Sequence, residues 1–450
     1  MDVSVVGLGY LGLIQAIVLA ESGHRVTAVD IDKDKVQKLQ GGVPPFYEPE
    51  LLERMTRQVK NQNLLFTDSF GDWVGKKELH FICVGTPMSE SGELDTTALY
   101  SALDSLAQDL KEDSIIVGRS TVEVGTSKKL KDYLGSKVSK TFYLAWNPEF
   151  LSEGTAFQDS FHPERIVIGV EEEVPKEILL SFYQDKIYNS APVLIMDLAS
   201  AELVKAAANS FLAMKISYIN GLAGMAEEVG ADIKSISQAL GLDSRIGQKF
   251  LRSGLGFGGG CIPKDLASFA ETASKLSQNH FSNLLFSALE INKGRVENAV
   301  STVKGLFAHL PDISVCVLGA SFKPNTDDVR NSQALALTRK LLDLGVWVRI
   351  HDPKALPNVQ ISHPKLEKVK DLETAISGVD LVIVATEWSA YSELNPDSVL
   401  DLPTQAQILD LRNSLDPNAW RNAGWNVVRL SGNDLGSANN LGSKPFSREL

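Results

Sequence analysis

Cysteine is scarce: three in 450 residues, an odd and sparse set that excludes a disulfide framework and suits a reducing compartment. Positive charge is also in deficit, with 44 Lys plus Arg against 56 Asp plus Glu and a formal net charge of −12. A surface of that sign repels nucleic acid and anionic lipid, so a phosphate-bearing ligand has to be held by a few placed cations. Neither a nucleic acid nor a membrane is expected as partner. Long hydrophobic runs are missing too: apolar stretches such as residues 381–385 have strand length, against the ~20 residues of a membrane helix. The opening Met1-Asp2-Val3-Ser4-Val5-Val6 has no basic stretch and reaches a glycine turn too early for a secretory signal. A soluble cytoplasmic protein is the expectation, and no metal site is expected.

What is present is an ordinary globular composition, 44% apolar and 22% charged, over a length that suits two or three domains at roughly 150 residues each. Strand-like apolar runs alternate with helical patterns in two stretches, which predicts βαβ units around parallel sheets. The first stretch has strands at 3–6, 25–29, 79–84, 115–118, 143–146 and 166–169; the second has them at 314–318, 346–350, 381–385, 407–410 and 425–429. Between them, residues 198 to about 300 read as helical, beginning with an Ala- and Leu-rich stretch over 198–228. The fold class is α/β: two Rossmann-like parallel-sheet domains, 1–196 and 301–430, joined by a central helical region, 197–300. The Ser-, Gly- and Asn-rich residues 431–450 are expected to be disordered.

Gly7-Leu8-Gly9-Tyr10-Leu11-Gly12 follows the first strand and precedes an amphipathic helix expected at 13–22, the context in which G-x-G-x-x-G binds a dinucleotide. Gly7 allows the tight turn, Gly9 lets a pyrophosphate approach, and Gly12 lets helix pack on strand. Asp30 ends the next strand eighteen residues past Gly12, where a carboxylate meets an adenosine ribose and repels a 2′-phosphate. NAD is therefore favoured over NADP. The turns Val84-Gly85-Thr86-Pro87 and Gly118-Arg119-Ser120-Thr121 lie where the nicotinamide half of a dinucleotide would rest.

A second constellation runs Gly254-Leu255-Gly256-Phe257-Gly258-Gly259-Gly260-Cys261-Ile262-Pro263-Lys264-Asp265. Packing does not explain such a glycine run, and its single thiol next to charges makes Cys261 the candidate nucleophile, whereas Cys83 and Cys316 lie in apolar strands. Lys205 and Asn209, four apart on one helix face, offer donors for an oxyanion. Asn147-Pro148 reads as an N-cap followed by proline at a first helical turn, which would set Glu149 and Glu153 on one helix face as acid/base candidates. In the second stretch the first turn reads Gly319-Ala320-Ser321-Phe322-Lys323-Pro324, without the dinucleotide glycines but with Lys323 and, further on, Arg330 for a second phosphate-bearing ligand.

These segments, with Asn147-Pro148-Glu149-Phe150-Leu151-Ser152-Glu153-Gly154, resemble the UDP-glucose/GDP-mannose dehydrogenase family over nearly the whole chain to about residue 430. Tyr47-Glu48-Pro49, the run from Gly241 to Gly247 and Asp410-Leu411-Arg412-Asn413 are most similar to members acting on UDP-glucose; those acting on GDP-mannose and UDP-N-acetylmannosamine are the relatives to exclude. The resemblance implies oxidation of UDP-glucose at C6 to UDP-glucuronate, with two NAD reduced and no free aldehyde. It implies Cys261 as nucleophile, Lys205 with Asn209 on oxyanions, Glu149 and Asp265 for proton transfer and hydrolytic water, and Thr121 on that water. Asp30, Lys35, Thr86, Thr121, Glu153, Lys264 and Arg330 would touch the cofactor. Phe150, Leu151, Arg252, Phe257, Gly258, Phe322, Lys323 and Arg412 would lie along the nucleotide sugar, and Arg245 would reach a neighbouring subunit's substrate in a homodimer. Gly260 departs from the Ser common in relatives. Two rival classes are a single-step hydroxyacid dehydrogenase of the 6-phosphogluconate type, which needs neither Cys261 nor a second α/β half, and a nucleotide-sugar sensor without turnover.

Overall fold

Runs of Val, Ile and Leu that are apolar on both faces are buried completely only in parallel sheets covered by helices on each side. The computed structural model describes residues 1–71, 77–89, 92–184 and 191–430 and contains two such sheets. The expected tail, 431–450, lies outside the described residues. The first sheet has the order β3-β2-β1-β4-β5-β6-β7-β8, with β1 Asp2–Val6, β2 Arg25–Val29, β3 Leu64–Thr67, β4 Leu79–Ile82, β5 Ser114–Gly118, β6 Phe142–Trp146, β7 Ile166–Gly169 and β8 Val193–Met196. The second has the order β11-β10-β9-β12-β13-β14, with β9 Ser314–Leu318, β10 Trp347–His351, β11 Leu366–Lys368, β12 Leu381–Val384, β13 Gln407–Asp410 and β14 Asn426–Arg429. Counted from its own first strand, each sheet begins 3-2-1-4-5-6, the doubly wound order whose ligands bind at the carboxyl ends of the strands. Neighbouring strands run parallel except β6 and β7, which meet at Trp146 and Gly169 in antiparallel sense.

Three strands escape the sequence pattern: β3, β8 and β11. Each is a short edge strand: β11, Leu366–Lys368, carries one apolar residue in three and little strand signal, whereas β3 and β8 are mostly apolar runs of only four residues that the sequence pattern passes over. The first helix is Tyr10–Glu21 rather than 13–22, and it is not amphipathic: Gly12 through Ala20 are all buried. The helical stretch after β8 forms the Leu198–Val229 helix, followed by Ile233–Leu242, Ile262–Lys275 and Asn279–Leu306.

The chain folds into two compact units, each assembled from separate stretches of sequence. One comprises Met1–Met214, Gly258–Glu290 and Lys323–Asn331; the other comprises Lys215–Phe257, Ile291–Phe322 and the chain from Ser332 on. In the first unit, Val3, Val5, Ile14, Ile17 and Phe81 belong to the core on one face of the sheet, and Val6, Ile82, Leu103, Ile116 and Trp146 to another. In the second, Cys316, Leu318, Val382, Val384 and Ile408 join Trp388, Trp420 and Trp425.

Candidate functional site

The first turn has the form its glycines demand. Gly7 has φ +91°, and a Cβ there would lie 2.8 Å from the Val84 backbone; one on Gly12 would lie 1.8 Å from the Gly7 carbonyl oxygen. Nothing stands within 4 Å of a Cβ built on Gly9, which precedes the Tyr10–Glu21 helix, so its backbone is open to approach and the helix N-terminus is presented. At the end of β2, Asp30 accepts from the Leu8 N–H at 2.7 Å and from Lys35 Nζ at 2.9 Å. Thr86 Oγ1 donates to the Thr121 carbonyl at 2.7 Å and Ser120 Oγ to the Val84 carbonyl at 2.6 Å, tying together the turns after β4 and β5. Open glycine backbone, helix N-terminus and a fixed carboxylate fit a dinucleotide held by Gly7, Gly9, Gly12, Asp30 and Lys35.

Cys261 immediately precedes the Ile262–Lys275 helix, whose first turn carries Asp265. Of the three cysteines, all free, Cys83 and Cys316 are buried and Cys261 is exposed. Lys205 and Asn209 sit on the Leu198–Val229 helix, both buried, as their spacing predicts. Lys205 Nζ pairs with Glu149 Oε1 at 3.0 Å and lies 5.5 Å from the centre of the Phe150 ring; Asn209 Nδ2 donates to Asp265 Oδ2 at 2.6 Å. Lys264 Nζ pairs with the other Asp265 oxygen at 2.8 Å. Burial works against the Lys205 charge, but Glu149, Cys261 and Asp265 more than offset it and hold the ammonium above its ordinary pKa. Solvent reaches the Cys261 residue, yet the protein crowded around its sulfur, then Glu149 and Asp265, push the thiol up to about 11, with Lys205 working in the opposite sense. The resting thiol is therefore neutral near pH 7.

The expected helix at Asn147-Pro148 is absent: residues 147–152 are irregular, and the next helix is Ala156–Phe161. Asn147 is not a cap. Its amide is buried beside β7, donating to the Val167 carbonyl at 2.6 Å and accepting from Arg119 Nη1 and Tyr183 OH. Val167, Arg119 and Tyr183 satisfy it better than an exposed helix start would. Glu149 and Glu153 consequently share no helix face: Glu149 turns to Lys205, while Glu153 accepts from Thr326 Oγ1 at 3.0 Å and lies 3.5 Å from Arg330 Nη2.

The stretch Lys323–Asn331 belongs to the first unit and lines this region. Lys323 Nζ donates to Ser152 Oγ at 2.7 Å, and Asp327 accepts from the Tyr47 N–H at 3.0 Å. Arg330 pairs with Asp328 at 2.6 Å, and its carbonyl accepts from the Gly259 N–H at 2.9 Å. A Cβ on Gly260 would stand 2.4 Å from the Arg330 guanidinium carbon, so glycine leaves Arg330 its present seat beside the residue that precedes Cys261. Burial, then the neighbouring Asp328, raises the Glu153 carboxyl to about 7, against Thr326, Arg330 and Lys323.

In the second unit, Arg412 braces three carbonyls: Ala385 at 2.7 Å, Gly256 at 2.9 Å and Phe322 at 3.2 Å. Buried Phe257 exchanges hydrogen bonds with the Asn292 amide. Arg252 is exposed, and Arg245 is exposed and paired with Asp243 at 2.6 Å.

Two buried carboxylates were missed in the sequence. Glu48 accepts from Tyr10 OH at 2.7 Å, the Gly154 N–H at 2.6 Å and the Ala156 N–H at 2.9 Å, joining the dinucleotide turn's helix to the segment that bears Glu153. Glu202 receives the start of the Thr126–Gly135 helix. Their signal is slight: a Glu-Pro dipeptide for one, a helix-face position one turn before Lys205 for the other.

A doubly wound sheet with an open dinucleotide turn, beside a thiol set among a lysine, an amide and carboxylates, defines a nicotinamide-dependent dehydrogenase. Residues 1–187 match the UDP-glucose/GDP-mannose dehydrogenase family's NAD binding domain, 199–294 its central domain and 316–417 its UDP binding domain. The UDP-glucose 6-dehydrogenase of Rickettsia felis is 37% identical over 94% of this chain and 95% of that one. Among solved structures, a UDP-glucose dehydrogenase from Pyrobaculum islandicum superposes with TM-score 0.88 at 34% identity, covering 96% of this chain and 98% of that one. A UDP-D-ManNAc dehydrogenase from Pyrococcus horikoshii does so with TM-score 0.84 at 25% identity, covering 96% and 100%. The chain belongs to the UDP-glucose/GDP-mannose dehydrogenase family: it is an NAD-dependent nucleotide-sugar dehydrogenase. Among the described residues, no helix is long and apolar enough to cross a membrane.

Proposed function

We propose that this enzyme oxidises the C6 hydroxymethyl group of UDP-glucose to the carboxylate of UDP-glucuronate through a covalent bond to Cys261. The observation that carries the proposal is the pairing of Lys205 with Glu149 at 3.0 Å and of Asn209 at 2.6 Å with Asp265, in the first turn of the helix that Cys261 begins, within the unit that holds the dinucleotide turn. Gly7, Gly9, Gly12, Asp30 and Lys35 would hold NAD, which when bound would supply the hydride acceptor for each of two oxidations. Thr86, Thr121, Glu153, Lys264 and Arg330 are assigned to the cofactor's surroundings.

The chain's own side chains handle protons and charge. Removal of the C6 hydroxyl proton and of a hydride leaves an aldehyde. The Cys261 sulfur bonds to its carbon while the thiol proton passes to a neighbouring carboxylate, either Glu149 or Asp265. A thiol pushed up to about 11 in the resting enzyme ionises only as that acceptor takes its proton, which limits side reactions of a standing thiolate. The charge developing on the former carbonyl oxygen meets the Lys205 ammonium and the Asn209 amide. Loss of the second hydride gives a thioester. Water, steered by Thr121 and deprotonated by Asp265, then breaks the C–S bond, releasing the acid and regenerating the thiol.

Residues 1–196 are assigned to the cofactor, 197–300 to the connection and self-association, and 301–430 to the nucleotide sugar. Phe150, Leu151, Lys323, Phe257, Phe322, Arg252 and Arg412 are assigned to UDP-glucose, and Arg245 to the substrate of a second subunit. Exposed Phe211, Tyr218 and Met225, seven apart on the Leu198–Val229 helix, support the homodimer.

The test follows NADH release with UDP-glucose, GDP-mannose and UDP-N-acetylmannosamine side by side. UDP-glucose alone is expected to yield two equivalents, and Cys261→Ser to bind it normally while losing steady turnover by roughly a thousandfold or more. Normal turnover by that variant excludes the thioester route; two equivalents from another sugar reassign the substrate.

A further inference from the structure

The Thr126–Gly135 helix has no cap of its own. The residue before it is Gly125, at φ +91°, with no side chain to offer. Five other helices are capped locally, with Asp32, Asp232, Ser332, Asp371 and Asp416 accepting from N–H groups of the turn they begin. Here the cap is imported. Glu202, 1% exposed on the Leu198–Val229 helix, accepts from the Gly125 N–H through Oε2 and from the Ser127 N–H through Oε1, each at 2.6 Å. Charge-assisted bonds of this kind, aimed at a helix N-terminus, are what makes a buried carboxylate tolerable.

Glu202 lies one helical turn before Lys205 and four residues before Ala206, so all three share a face. The loop it clamps, 121–125, is tied at its other end by the Thr86 hydroxyl on the Thr121 carbonyl. Thr121, Glu123 and Val124 of that loop line a small recess together with Ala206, Asp265 and Ser268. The loop wall of this recess is therefore fixed directly to the helix that bears Lys205 and Asn209.

We infer that Glu202 is a positioning residue for the hydrolytic step: by locking the loop at 121–125 to the Lys205 helix, it sets Thr121 against Asp265 across the recess that admits water. The inference rests on the thioester reading above. Oxidation and sulfur addition depend on Cys261, Lys205 and Asn209, which keep their own supports, whereas hydrolysis needs the loop in register.

The test compares Glu202→Gln, which keeps the shape and one acceptor, and Glu202→Ala with Leu134→Ala, which cuts the buried core of the same helix away from the loop. Full-length enzyme is assayed with NAD and UDP-glucose, then acid-quenched for intact mass. The expected result is a kcat lowered about 10-fold in Glu202→Gln and about 100-fold in Glu202→Ala, with KM for UDP-glucose within about twofold. Both should accumulate a nucleotide-sugar acyl adduct on Cys261. Leu134→Ala should lose thermal stability yet keep its rate per folded molecule and show no adduct. Wild-type kcat without adduct in Glu202→Gln overturns the inference, as does an equal adduct in Leu134→Ala. Should Cys261→Ser turn over normally, it is the thioester reading that fails instead.

Discussion

Each sheet opens with a glycine in the left-handed region, and at the end of its second strand a carboxylate accepts the N–H that follows that glycine. In the first sheet these are Gly7 and Asp30, with Leu8 N to Asp30 at 2.7 Å; in the second they are Gly319, at φ +114°, and Asp352, with Ala320 N to Asp352 at 2.7 Å. Each carboxylate also accepts the N–H two residues further on, Asp30 from Asp32 at 3.0 Å and Asp352 from Lys354 at 2.9 Å, and there the likeness ends. Asp352 also takes the Ser321 N–H and hydroxyl, the Trp388 indole N–H, and the Ala355 N–H. Its lone pairs are occupied inside the protein, and Ser321 stands fully buried where the first turn has an open glycine. The first turn keeps a carboxylate and bare backbone for a ligand, whereas the second is sealed, and the segment that follows it, Lys323–Asn331, serves the first unit's site through Lys323, Thr326 and Arg330. One strand-turn geometry thus supports two uses, decided by which polar groups its carboxylate is left to satisfy.

The comparison breaks most severely at Gly12. Gly12→Ala drives a Cβ into the Gly7 carbonyl, and is expected to cost about 5 kcal/mol in denaturant unfolding and to abolish NAD binding by fluorescence titration. A near-native melt with intact NAD affinity would show that the turn is not held as tightly as described.

Next come the two carboxylates, where opposite outcomes are expected. Asp352→Ala strands several buried N–H groups and should lower stability by about 3–5 kcal/mol while leaving the KM for NAD unchanged. Asp30→Ala should destabilise by only about 1–2 kcal/mol yet raise the KM for NAD some 10- to 100-fold. Equal effects of both variants on KM would erase the distinction between an open turn and a sealed one.

The smallest effect sharpens the part played by the borrowed segment. The Glu153 carboxyl, raised to about 7 by burial and Asp328, holds its proton in the folded chain at pH values where the unfolded chain has already released it. Its contribution to stability is complete below the ordinary carboxylate range and is lost as pH rises through about 7. Wild type should therefore lose about 2 kcal/mol from this group between pH 5 and 8, relative to Glu153→Gln, in paired denaturant titrations. Parallel pH curves for the two would mean that Glu153 is ionised throughout.

Much of this was legible in the chain itself. Eleven strand runs were read and found in place, ten of them central strands apolar on both faces and one, β14, at an edge; the three that escaped are all edge strands. Lys205 and Asn209 fell on one buried helix face because the helical period alone puts them there. Asn147 misled, since Asn-Pro is a fair helix-start signal and only the Arg119, Tyr183 and Val167 groups, far along the chain, decided otherwise.

The sequence by itself determined the features whose causes lie within a turn or an element: the glycine turn, the distance of the Asp30 carboxylate from it, the thiol at the end of a glycine run, the paired donors on one helix. Tertiary structure alone decided which distant N–H groups the buried carboxylates satisfy. Glu202 answers to residues 77 and 75 positions away and Glu48 to residues 106 and 108 away. The reason is physical: a backbone N–H looks the same at every position in the sequence, and a buried carboxylate binds whichever of them the packed fold brings within reach.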